Sequence, residues 1–341
     1  MAPQPPPLRP PLPPPLPRPV PGLWRGTPPA IFSPILGLLA LGLAWRRAEL
    51  ALPAGFEGIG EAVLGAATLL ALFALVAYGA KVAQRPGVLA EDLRTLPGKA
   101  GVTAAVVSVH ALAAVIAPYA MGLAQLMLVA SVAVHGLLVL MILRGLWVGP
   151  PEGRVVTPVW HLVFVGFIVA GMAGLETGWW ALTLAVFPLT LAAAAGIWAV
   201  SLWQIATRIP PAPLRPLLAI HVAPAGLFAT VAADAAFPGA PVFAAAGLAL
   251  ALILLASARW VTAAGFSPLW GAFTFPLAAL AQALMAQTWT VAAMDGPGRL
   301  WQAAGLAVLA AASVANPWIA VRVLRMWAQG SLGPRTNAAV A

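Results

Sequence analysis

From residue 30 onward, apolar runs of roughly 20 residues alternate with short polar breaks, and each run is long enough to cross a ~30 Å hydrocarbon layer as a helix. Ten such helices are predicted, over about 30–45, 59–80, 101–118, 121–143, 157–174, 178–204, 215–236, 241–261, 267–291 and 299–324. The breaks at Tyr119–Ala120 and Leu175–Thr177 leave room only for tight antiparallel hairpins, joining helix three to four and five to six. The pattern predicts an all-α integral membrane domain over 30–326, a proline-rich disordered tail over 1–29 and a short tail over 327–341. Between Pro3 and Pro21 almost no apolar side chain separates the prolines, so that stretch has nothing to pack with and reads as polyproline-like. It also lacks the short basic lead of a cleavable signal.

Composition strengthens the membrane reading. Of 341 residues, 62% are hydrophobic and 8% charged, with a mean hydropathy of +0.94. Soluble domains carry roughly a quarter charged residues, so the polar shell of a soluble enzyme is missing. Cysteine is absent, which excludes disulfides, thiolate metal sites and cysteine nucleophiles.

The net charge of +9 becomes informative once it is sorted by membrane side. Arg9, Arg18 and Arg25, the breaks after helices two, four, six and eight, and the C-terminal Arg322, Arg325 and Arg335 gather fifteen of the 18 basic residues on one side. Arg46, Arg47 and Arg299 fall on the other, together with Glu49, Glu57, Glu61, Glu176, Asp234 and Asp295. By the positive-inside rule both termini are cytoplasmic, and the charge is a topology signal rather than a nucleic-acid surface. No nucleic acid is expected as a partner; the lipid bilayer is.

Inside the spans, no Lys, Arg, Asp or Glu lies near the middle, which disfavours a strongly ion-coupled carrier and favours a neutral pore. Pro34, Pro224 and Pro276 fall within spans one, seven and nine, while Pro118 and Pro158 sit at the ends of three and five. Every odd helix therefore has a proline, which suggests bent odd helices around a central path and straighter even helices against lipid, although Pro188 and Pro317 occur in even ones. His110, His135, His161 and His221 lie in or at the edge of spans without His-x-x-x-His or Glu-x-x-His spacing. They read as interhelical hydrogen-bonding groups, and His110 with His221 is the pair that folding could bring together. No metal, cofactor or catalytic set is expected.

Four segments carry a family resemblance. They are GLLALGLAWRR from Gly37 to Arg47, TPVWHLVFVGFIVAGMAG from Thr157 to Gly174, LLAIHVAPAGLFATVA with its Ala223–Pro224 pair, and FSPLWGAFTFPLAALA from Phe266 to Ala281. In that order, on helices one, five, seven and nine, they resemble the tellurite-resistance/dicarboxylate transporter family, which includes the plant slow anion channels. The resemblance covers most of residues 30–330. It implies five helical hairpins in quasi-fivefold arrangement around a central pore, a homotrimer in the bacterial inner membrane, and a helix-nine phenylalanine blocking the pore. By position that gate is Phe275, with Phe273 as second choice. Pore-lining candidates are Ser33, Pro34, Gly37, His110, His161, His221, Pro224 and Pro276; Ser33 replaces a glycine of the family's first helix, which narrows the bore and adds a hydroxyl.

The expected function is uncoupled passage of small inorganic or organic anions. A C4-dicarboxylate or sulfite carrier, associated in the family with tellurite resistance, is the alternative, weakened by the lack of a mid-span arginine. A membrane scaffold or sensor that recruits a partner through the proline-rich tail is the remote one.

Overall fold

The computed structural model describes residues 22–50, 52, 55–290 and 297–341. The tail predicted over 1–29 therefore lies outside the described residues, apart from 22–29. All ten predicted runs are helical: α1 (Phe32–Glu49), α2 (Ile59–Gln84), α3 (Leu96–Ile116), α4 (Met121–Val148), α5 (Phe167–Glu176), α6 (Trp180–Thr207), α7 (Val222–Asp234), α8 (Ala240–Ala256), α9 (Gly271–Thr290) and α10 (Pro297–Ala328). Among the described residues, eight helices are long and apolar enough to cross a membrane, and the segments His161–Glu176 and Ala240–Ala256 are shorter apolar ones. No strand occurs among the described residues. The eighth run ends earlier than predicted, because the chain breaks at Ser257 before a single turn over Ala258–Val261.

Local chemistry sets the ends. Thr95 caps α3 by accepting a hydrogen bond from the Gly98 amide at 3.0 Å, and Pro97 sits in the first turn, where an N–H would have no helical acceptor. The loops leading into α2, α6 and α8 each turn through a glycine in the left-handed region, Gly58 at φ 82°, Gly178 at 79° and Gly239 at 90°.

Each odd helix packs against the even helix that follows it, and the odd helices touch one another in the cycle α1, α3, α5, α7, α9 and back to α1. Burial separates the two sets. The apolar windows of α1, α3, α7 and α9 are 72–89% buried, whereas those of α2, α4, α6 and α10 are 28–33% buried. Odd helices thus form an inner ring and even helices an outer shell whose leucines and tryptophans, such as Leu137, Leu189 and Trp203, face outward as a lipid-exposed surface requires.

Close approach in the ring depends on missing side chains. A Cβ on Gly37 would collide with Thr274 of α9, one on Gly226 would press on the Ala279–Leu280 backbone, and one on Gly101 would enter the Pro29–Ala30 backbone. Asn316 of α10 then ties α1 to α9, donating from Nδ2 to the carbonyls of Gly37 at 3.1 Å and Thr274 at 2.9 Å.

The two faces of the bundle are closed differently. On the face where the odd helices begin, Lys81 and Asp92 form a fully buried ion pair at 2.8 Å. Lys81 also donates to the Thr27 carbonyl, Tyr78 donates to Asp92, and the Ala339 amide donates to the other Asp92 oxygen. The Ala341 amide reaches the Arg25 carbonyl at 3.0 Å, so both ends of the described chain meet on this face. Thr27, Pro28 and Pro29 are buried, so the bundle begins a few residues before position 30, and Leu332 and Thr336 fold back into it. The Arg85 guanidinium beside Glu91 holds that carboxyl below the usual carboxylate range. At the opposite face, Arg46 pairs with Glu61 of α2 and Arg47 with Asp234 of α7, in partly exposed positions.

The prolines do something other than bend odd helices in mid-span. Pro34 and Pro224 are the third residues of α1 and α7, just past the 3-10 turns that lead into them, so they stand at the start of each helix rather than in mid-span. Interior prolines are Pro276 in α9 and the even-helix Pro188 and Pro317. Instead, four odd helices begin with tighter or wider turns: 3-10 turns at Pro29–Ile31, Ala212–His221 and Pro268–Trp270, and a π turn at His161–Val165.

Candidate functional site

Those leading turns surround a narrow central cavity of about 60 Å³, to which all five odd helices contribute. Its wall runs from Ala30 to Leu36, Pro97 to Val107, His161 to Val169, Leu217 to Leu227 and Pro268 to Pro276. Every one of these stretches is the leading half of its helix, so the cavity belongs to the face that carries both chain ends. The wall contains no Asp, Glu, Lys or Arg, and its polar side chains are Ser33 and His161. Phe275 is the one phenyl ring among the lining residues and is 9% exposed. Beside it, Pro276 has no N–H, so the Ala272 carbonyl one turn earlier loses its helical donor; both residues stand in the wall.

The sequence candidates divide by position. Ser33, His161, Pro224, Pro276 and Phe275 line the cavity. Gly37 and Pro34 face α9 instead, Gly37 against Thr274 and Pro34 close to Gly271. Phe273 points away, its ring edge-on to Trp270 at 5.6 Å in an aromatic group with Trp318 of α10. His110 is fully buried between helices and not in the wall.

The histidines pair differently from the expected meeting of His110 with His221. His110 meets His135 of α4, and His161 meets His221. The first pair is a chain with a fixed direction. His135 Nε2 lies 3.0 Å from the Val163 carbonyl, which can only accept, so Nε2 carries the proton. A neutral His135 then accepts at Nδ1 from His110 Nε2 at 3.0 Å, and the resulting lone pair on His110 Nδ1 faces the Ser131 hydroxyl at 2.8 Å, which also lies 3.1 Å from the Leu128 carbonyl. Val163 belongs to the π turn that precedes α5. The second pair has no such anchor: His161 Nε2 and His221 Nδ1 are 2.9 Å apart, while His161 Nδ1 and His221 Nε2 are buried without partners among the described residues. No group of three or more metal-ligating side chains exists among the described residues.

His221 also lines a second cavity, off the ring axis, between residues 155–158, the end of α6 and the 3-10 turn before α7. Sequence reading missed this pocket and the clamp at Asn316. The only sign of Asn316 was a lone amide in a long apolar run, whose partners on two other helices no local pattern could reveal.

Comparison with curated proteins gives no match. A family model described as SLAC1, voltage-dependent anion channel, matches residues 26–324, which spans all ten helices from just before the first leading turn to the last turns of α10. That span, the inner ring of odd helices and the uncharged central cavity lead to one assignment: the chain belongs to the SLAC1 family of membrane anion channels and transporters.

Proposed function

We propose that the protein is an uncoupled path for small anions through the centre of the odd-helix ring, with Phe275 as its gate. The observation that carries this reading is the central cavity: five helices contribute to it, no fixed charge lines it, and Phe275 stands in its wall next to the proline that weakens α9. A pore without a binding charge holds an anion weakly and releases it quickly, so selectivity follows dehydration cost and bore, favouring weakly hydrated ions. Ser33 offers a hydroxyl to the passing ion. The basic rims of the face that carries both chain ends, read as cytoplasmic, raise local anion concentration there.

The gating step needs only a rotation of the Phe275 side chain or a small change at the Ala272–Pro276 kink. Replacing Phe275 with alanine raises steady anion current about tenfold or more in oocytes or planar bilayers, as removal of a hydrophobic constriction should. An unchanged current removes Phe275 as the gate.

A further inference from the structure

The side pocket, formed by residues 155–158, the end of α6 and the 3-10 turn before α7, has a volume of about 210 Å³. Three of its lining residues carry buried polar atoms without a hydrogen-bond partner among the described residues: Thr157 Oγ1, Ser201 Oγ and His221 Nε2. Ser201 is 6% exposed and His221 7%. Natural proteins rarely leave such atoms unsatisfied, and three around one cavity point to something that satisfies them together. The fourth feature is Arg208, which lines the same pocket and forms no ion pair among the described residues. No carboxylate lines the pocket. Two hydroxyls, an imidazole nitrogen and a guanidinium without a competing acid form a set suited to donate hydrogen bonds to negatively charged oxygens.

We propose that this side pocket is a binding site for a small oxyanion, held by the hydroxyls of Thr157 and Ser201, by His221 Nε2–H and by the Arg208 guanidinium. The site is separate from the central cavity yet joined to it by one hydrogen bond, because His221 contacts His161 at 2.9 Å and His161 lies in the central wall. Neutral imidazole carries a single N–H. An oxyanion that accepts from His221 Nε2 leaves His221 Nδ1 as an acceptor, so the proton between the rings resides on His161 Nε2 and His161 Nδ1 becomes a lone pair. With the pocket empty the opposite arrangement is open, in which His161 Nδ1 carries the proton. Occupancy of the side pocket is thereby written into the hydrogen-bonding character of a central-wall residue. The His110–His135 pair cannot report in this way, since the Val163 carbonyl fixes its direction.

The test uses the full chain, purified in detergent with 15N-labelled histidine and titrated with inorganic phosphate, with chloride as the comparison ion. The expected result is a saturable shift of His221 Nε2 on phosphate addition, a concurrent shift of His161 Nδ1, and unchanged His110 and His135 signals. Replacing Arg208 by glutamine weakens the apparent phosphate affinity about tenfold, and Ser201→Ala weakens it by less; Arg208 is exposed and unpaired, so this variant should fold. Native mass spectrometry identifies the natural source of the oxyanion. A retained phospholipid that phosphate competes off assigns the site to a lipid headgroup, whereas phosphate binding to lipid-free protein assigns it to the free ion. No saturable histidine shift, or one that is the same in wild type and Arg208→Gln, overturns the proposal. Neither result bears on the central path, which is judged by current.

Discussion

The leading and trailing halves of the odd-helix ring are built by the same five helices yet differ in kind. In the leading half, 3-10 and π turns and proline-bearing first turns hold the backbones apart around a cavity. In the trailing half the helices are regular, and residues beyond the cavity wall, Leu39, Ala111, Ala173, Val231 and Leu280, are buried. Phe275 and Pro276 stand where one half gives way to the other. Width in this bundle therefore comes from how helices begin, not from bends in their middles. Ordinary α-helix with small residues at its contacts closes the ring.

The closing of the two ends follows the same division. At the leading end the Lys81–Asp92 pair has both side chains at 0% exposure, while at the trailing end Glu61 is 42% exposed beside Arg46. Removing one partner of a buried pair leaves the other charge stranded. Lys81→Met is thus expected to cost about 3–5 kcal/mol, seen as a large fall in the thermal midpoint of detergent-solubilised protein. Next in size is Gly101→Ala. Its Cβ enters the Pro29–Ala30 backbone, which cannot swing aside as a side chain would, and about 2–3 kcal/mol of destabilisation should appear in the same assay. Removing the clamp between α1 and α9 with Asn316→Leu frees the Gly37 and Thr274 carbonyls and costs about 1–2 kcal/mol. Because Thr274 precedes Phe275, the same variant should raise basal current. Arg46→Met should cost less than about 1 kcal/mol. A trailing-end loss as large as that of Lys81→Met would erase the contrast.

How much of this could be read from the chain follows from what apolar sequence encodes. Ten helices were legible, because run length is written residue by residue, whereas the inner and outer sets were reached only through the prolines and the family resemblance. Rotation about each helix axis was not legible. The spans are apolar all round, and lipid is as apolar as a packed interior, so no stripe says which face meets a neighbour. Phe273 and Phe275 are alike in sequence and differ only in the direction each faces, and Gly37 and Ser33, one turn apart, divide between a helix contact and the cavity wall. The prolines misled in part because Pro34 and Pro224 look interior until the first turn of each helix is located. The histidine partners were hidden for a similar reason, since each bond joins residues at least 25 positions apart.

The natural absence of cysteine makes the central claim directly testable. Single cysteines at Ala272 in the cavity wall and at Leu137 on the outer face of α4, each in a conducting background, can be exposed to a negatively charged, membrane-impermeant methanethiosulfonate during current recording. The ring account predicts that the reagent blocks current through Ala272→Cys when applied from the face that carries both chain ends, and leaves Leu137→Cys unaffected. Current that persists after confirmed labelling at position 272 would contradict a path through the centre of the ring.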